Sequence, residues 1–254
     1  MAVKSVIYLG LTLAAMIPGV SGLAQVSSGG EGAADRAIEK HHYTLLRIPK
    51  RETWIALVDS VYADTLILED KSTLRFSSAS ILIAEHAFVG EKCLITSAGA
   101  DGRGPGGSGE AGQNLSLVIV FHEVGSLTID TRGGSGQKGS PGASGANGVS
   151  YQERGKPGSD GGHGGKGGSL RLFYSTVGFQ PSFNGQGNGS ISLLYTGGRS
   201  GVGGEGGVGG KPIKTDGTGR QLVCGTCPAA PSGPRGNPGT PGQDGALTLE
   251  RIPD

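Results

Sequence analysis

Gly155–Tyr174 reads GKPGSDGGHGGKGGSLRLFY: five Gly-X-Y triplets run without a spacer into a short alternating strand. A threefold polyproline-II helix has three residues per turn, so each triplet position forms one face of a rod. In residues 155–169 the first face is glycine throughout, and the second becomes glycine at Gly162, Gly165 and Gly168. The third carries Pro157, Asp160, His163, Lys166 and Ser169. In residues 198–212 the first face is again glycine, with Gly203, Gly206 and Gly209 on the third. Arg199, Val202, Glu205, Val208 and Lys211 occupy the remaining face. Ordering glycine is entropically costly, so two bare faces fit rods that other backbones approach closely. These six second-row glycines are therefore candidate rod-packing residues. GQKGSPGASGANG (136–148) and GPRGNPGTPGQDG (233–245) have one glycine face and read as outer rods around the first two.

Strands punctuate the rods. SLTID, SLRLF, SISLL and ALTLE follow Gly125, Gly168, Gly189 and Gly245, each with Leu or Ile at alternate positions. That period of two belongs to half-buried strands, and the four are expected to share one apolar face. Upstream, apolar runs such as Trp54–Val58, Leu66–Leu68, Leu74–Phe76, Ile81–Ile83 and Leu94–Ile95 are separated by short polar corners. No helix-length segment interrupts them, which suits a β-solenoid or a small sandwich, with the solenoid preferred. The expected fold is all-β with little helix: a β-solenoid-like stack of short strands carrying long glycine-rich polyproline-II/polyglycine-II rod insertions. Four zones follow: an export signal (1–24), a flexible N-terminus or cap (25–42), a strand zone (43–98) and a glycine-rich zone (99–254).

The signal rests on Lys4, the apolar run Val6–Ile17 and the small-residue site Gly22-Leu23-Ala24 before Gln25. That pattern reads as a cleaved leader, and the run is short for a membrane span. A secreted or cell-surface location is expected, with no transmembrane segment after signal removal. The 254 residues include 51 glycines and carry a net charge of +1, from 22 basic and 21 acidic residues. Such a balance gives no electrostatic case for nucleic acid or an anionic membrane, and the few aromatics offer little for base stacking.

Three cysteines are present. In an exported chain, Cys224 and Cys227 are disulfide candidates, and Cys93 reads as a buried thiol within an apolar strand. Pro228, Pro231 and the adjacent glycines oppose the helix that a thioredoxin-like site needs, and no further zinc ligands stand nearby. Asp59, Asp64, Glu69, Asp70, Glu85 and Glu91 fall mainly at corners, where solvated carboxylates are ordinary. The histidines His41, His42, His86, His122 and His163 form no diagnostic catalytic spacing. GTPGQDGAL (239–247) is one degenerate copy of a calcium-binding nonapeptide, and such a site needs stacked turns. No GKS or GKT follows the glycine runs. The expectation is a non-enzyme with no cofactor and no metal.

The Gly-X-Y blocks behind a leader resemble those of bacterial secreted collagen-like proteins. GGHGGKGG and GVGGEGGVGG look more like polyglycine-II bundles, which occur in phage tail-fibre adhesin tips and in a glycine-rich insect antifreeze protein. The resemblance covers about residues 99–245. It implies an extracellular structural or adhesive scaffold of collagen-like type whose partner is a surface or matrix component, protein or glycan. The alternative is a dedicated binding module for a glycan or another surface ligand, with Tyr151, Phe179 and Phe183 as candidate loop contacts. Each block is about 40–45 Å long at 3.1 Å per residue and strands interrupt the series, so a monomeric rod bundle is favoured over a collagen trimer.

Overall fold

A computed structural model describes residues 40–148 and 153–253. The expected export signal, the segment up to residue 39 and Tyr151 lie outside these residues. Fourteen strands follow in chain order: β1 (Lys40–Ile48), β2 (Thr53–Ala56), β3 (Ser60–Leu68), β4 (Thr73–Phe76), β5 (Ser80–Val89), β6 (Cys93–Thr96) and β7 (Leu115–Val124), then β8 (Ser126–Asp130), β9 (Leu170–Thr176), β10 (Ser182–Phe183), β11 (Ser190–Leu194), β12 (Ile213–Thr215), β13 (Gln221–Val223) and β14 (Leu247–Arg251). There is no helix among the described residues.

The expected β-solenoid-like stack with rod insertions is corrected by this topology. The strands form two six-stranded parallel sheets, ordered β1-β3-β5-β7-β9-β14 and β10-β11-β8-β6-β4-β2, beside the antiparallel hairpin β12-β13. The four glycine-led strands do not line one face. SLTID (β8) pairs with SISLL (β11) in the second sheet, and SLRLF (β9) pairs with LTLER (β14) in the first. Alternation fixes which side chains point inward on each strand, but it says nothing about which sheet the strand joins. That assignment depends on the long connections.

Parallel sheets need cover for their apolar sides, and here each sheet covers the other. In-register pairing stacks like on like: Val61, Leu82, Leu117 and Leu172 form one row of the first sheet. Leu74, Ile95, Ile129 and Leu193 form its counterpart in the second. All eight belong to a single core shared by both sheets. Full burial of each such side chain contributes roughly 1.5–3 kcal/mol. The row frays at Leu249, which sits on edge strand β14 and stays exposed.

Short corners set the early steps. Arg51, Lys71 and Lys92 occupy equivalent turn positions with φ of 63°, 61° and 57°. The turns are tied to one another, Arg51 N–H donating to Asp70 O (3.1 Å) and Lys71 N–H to Glu91 O (2.7 Å). From β6 onward the corners give way to glycine-rich excursions. Each leaves a strand of the second sheet and returns as a strand of the first: 97–114, 131–169 and 195–246.

Candidate functional site: the glycine-rich array

The excursions supply five rods: residues 97–114 (folded back on itself), 131–148, 153–169, 195–212 and 229–246. They are numbered rods one to five. Their hydrogen bonds recur at every third residue, the period of the polyproline-II turn. Gly139, Gly142 and Gly145 of rod two donate to the carbonyls of Val202, Glu205 and Val208 of rod four at 2.7–2.9 Å. Gly198, Gly201, Gly204 and Gly207 donate to Gly165, Gly162, Ser159 and Lys156 of rod three at 2.8–2.9 Å. Gly158, Gly161 and Gly164 of rod three reach Pro234, Asn237 and Thr240 of rod five at 2.8–3.0 Å. Glycine N–H groups that would otherwise need water are thus bonded rod to rod.

Glycine marks where backbones touch. A β-carbon on Gly162, Gly165 or Gly168 would fall on the carbonyl oxygen of Gly107, Glu110 or Gln113 in rod one. On Gly203, Gly206 or Gly209 it would fall on those of Gly236, Gly233 or Ala230 in rod five. The second glycine row of rod three therefore begins where the returning limb of rod one begins. Farther out, where rod one has already turned at Gly104 and Gly106 (φ 68° and 71°), the same row carries Ser159 and Lys156. The other row of rod three, Gly155 to Gly167, abuts rod four along its length.

A second set of bonds escaped the sequence reading. Asp160 Oδ1 accepts Asn237 N–H at 2.7 Å, and His163 Nδ1 accepts Thr240 N–H at 3.0 Å. Asp101 accepts Ser135 N–H (2.6 Å), Asp244 accepts Gly197 N–H (2.8 Å) and Asn147 accepts Lys211 N–H (2.7 Å). Asp160 and His163 are thus acceptors for rod five as well as residues of an exposed face. Short polar side chains beside glycine are the signal, since Asp and Asn readily accept local backbone N–H groups.

At the far end, Cys224 and Cys227 form a disulfide, with Cα atoms 5.3 Å apart. It adjoins the hairpin β12-β13, whose turn is held by Asp216. Hydrogen bonds from the Thr218 hydroxyl and from the Arg220 and Thr218 amides lower the pKa of that carboxyl. Leu222 and Val223 stand exposed here, as does Val208 on rod four (61%). Rod two ends against this hairpin, Gly148 facing the Val223 and Ile213 methyls. Nearer the sheets, an open polar cleft of about 460 Å³ runs between rods one, two and four, lined by Asp101, Arg132, Ser135, Thr196 and Arg199. Arg132 is forked onto Asp130 at 2.8 and 3.0 Å, and that bond raises its pKa further.

Phe179 and Phe183 pack against the core, Phe183 meeting Tyr174 edge-on at 5.1 Å. Four of the six corner carboxylates are engaged by neighbours: Asp59 accepts from Ser78, Asp64 pairs with His42, Glu69 with Arg47 and Asp70 with Lys50. Cys93 is buried, its thiol pKa raised by desolvation, 3.2 Å from the Glu69 carbonyl. Comparison of the chain with protein-family models, with curated proteins and with solved structures gives no match.

Proposed function

We propose that this protein is a non-enzymatic, extracellular structural or adhesive scaffold, in which a two-sheet base holds out a glycine-rich array whose exposed rows and tip make the contacts. The observation that carries the reading is the threefold hydrogen bonding of the array. It holds five rods in fixed register, so that Arg199, Val202, Glu205 and Val208 form one evenly spaced exposed line. A rigid display loses little conformational entropy on binding, which favours recognition of an extended surface. The apolar tip at Leu222 and Val223, about half exposed, adds the kind of patch that contacts a protein or glycan partner. The alternative of a dedicated glycan module is less favoured, since two of its loop aromatics, Phe179 and Phe183, are half-buried against the core.

The test is retention of the purified mature chain on a panel of immobilised glycans and matrix proteins. Retention on at least one surface, weakened when Leu222 and Val223 are both replaced by Ser, is expected. Failure on every surface, together with saturable uptake of one small molecule in the polar cleft, would replace the scaffold reading.

A further inference from the structure

The first sheet carries a pair of histidines that the scaffold reading does not use. His86 lies on β5 and His122 on the neighbouring β7, with His86 Nδ1 and His122 Nε2 2.8 Å apart. Strict alternation after the buried Leu82 and Ala84 would turn residue 86 into the core. The register prevents this: Ala84 faces Ile119, but Ala87 faces Phe121, leaving Glu85 and His86 opposite the single residue Val120. The next step compensates, because Ala87 and Phe88 are adjacent while their partners Phe121 and Glu123 skip His122. Each irregularity thus leaves one histidine out of the β5–β7 register, His86 keeping Thr65 of β3 as its partner on the other side, and normal pairing resumes at Val89 and Val124. Bulges of this kind re-aim side chains. Ala87 and Val89 stay buried, His86 is exposed and His122 half-buried.

The rings are also held in orientation. Phe88 stacks on His122 with centroids 5.2 Å apart and planes 23° from parallel. His86 meets His122 edge-on at 4.9 Å. Two imidazole nitrogens on adjacent central strands therefore converge on one point, one ring fixed by an aromatic wall. In the observed pair, one nitrogen donates a proton and the other accepts it.

We propose that His86 and His122 together bind a divalent first-row transition metal ion, through His86 Nδ1 and His122 Nε2. The ion replaces the shared proton. That proton moves to the far nitrogen of its own ring, so both imidazoles remain neutral, the ligating form. At Zn–N lengths near 2.0 Å a tetrahedral site needs the nitrogens about 3.3 Å apart, a shift of about half an ångström that exposed His86 can supply. Among the described residues no group of three or more His, Cys, Asp or Glu side chains converges, so the other coordination positions belong to water or to an approaching surface. Imidazole donors suit copper and zinc, with copper held more tightly, and magnesium not at all.

Titration calorimetry of the mature chain with Zn²⁺, Cu²⁺ and Mg²⁺ tests this, alongside His86→Ala, His122→Ala and His163→Ala. Saturable binding of one Zn²⁺, weakened at least tenfold in each of the first two variants and unchanged in His163→Ala, is expected. Cu²⁺ should bind more tightly than Zn²⁺, and Mg²⁺ should give no heat. Both changes are on the sheet's outer side, and circular dichroism checks that the strands persist. In the unaltered chain, substoichiometric Cu²⁺ should also broaden the His86 and His122 ring resonances before those of His163. No Zn²⁺ binding up to ~1 mM, or an affinity in either histidine variant equal to that of the unaltered chain, would overturn the proposal.

Discussion

Gly165 and Gly206 each face a carbonyl oxygen of a neighbouring rod where a β-carbon has no room. Replacing either with Val forces two backbones apart and breaks the hydrogen bonds on both sides of the change. A loss of about 3 kcal/mol or more is expected, at the upper end for overpacking. Lys166 is the control one residue away: it is exposed, and Lys166→Ala should stay within about 0.5 kcal/mol. Chemical denaturation of the two glycine variants and the control checks this, and equal midpoints would reject close packing at these rows. The glycine rows were legible in the triplets because absence of a side chain is visible in sequence. The acceptor roles of Asp160 and His163 were not, because they depend on how rod five slides against rod three, and a triplet repeat leaves that register open.

At the level of elements, the corner carboxylates give a pH dependence. Hydrogen bonds from Arg47 and the Lys50 amide lower the pKa of Glu69, and those from Lys50 and the Glu91 amide lower that of Asp70. A carboxyl whose folded pKa is depressed stabilises the fold above its unfolded pKa and loses that contribution as pH falls through the folded value. Melting temperature should therefore be level near neutrality and decline below about pH 4.5. Glu69→Gln with Asp70→Asn should flatten part of that decline, and both groups are exposed, so added salt should shrink the difference. An identical acid slope in the double variant would show that the corner pairs are not its source. The strands feeding these corners were readable from alternation and short spacing, as in Leu74–Phe76. Their division between two sheets was not, because β8 and β9 carry the same small-Leu-x-apolar pattern and differ only in the connection between them.

The disulfide belongs to the same scale. Cys224 and Cys227 are three residues apart, so the loop closed in the unfolded chain is small and its entropic contribution is about 2 kcal/mol. The Cys224 amide donates to Pro212 O at 2.9 Å, which couples the clamp to the hairpin start. Reduction should speed amide exchange at Lys214, Leu222 and Cys224 while leaving Gly139 and Gly142 protected. Loss of protection along rod two as well would mean that the clamp supports the whole array.

For the molecule as a whole, the question is whether the Gly-X-Y blocks serve one chain or three. A collagen triple helix needs each glycine N–H for a carbonyl of another chain at a crowded axis. Here the donors are committed within the chain: rod two to rod four at Gly139, Gly142 and Gly145, and rod five to rod four at Gly233, Gly236 and Gly239 (2.8–2.9 Å). Freeing them would break bonds along every rod and would separate β9 from β14 and β8 from β11, which the rods bring together. The strand pairs would then lose the burial of Leu170, Leu172, Ile191 and Leu193, several kcal/mol in all. Sedimentation of the chain lacking residues 1–24 should accordingly report a single subunit whose apparent mass does not change on dilution. Gly139→Ala and Gly236→Ala should lower its melting temperature without changing its mass, since each disturbs an intramolecular contact. A trimer that persists on dilution and falls apart in either variant would reassign these glycines to an intermolecular helix. Avidity from three tips would then replace rigidity of one as the basis of the contacts we propose.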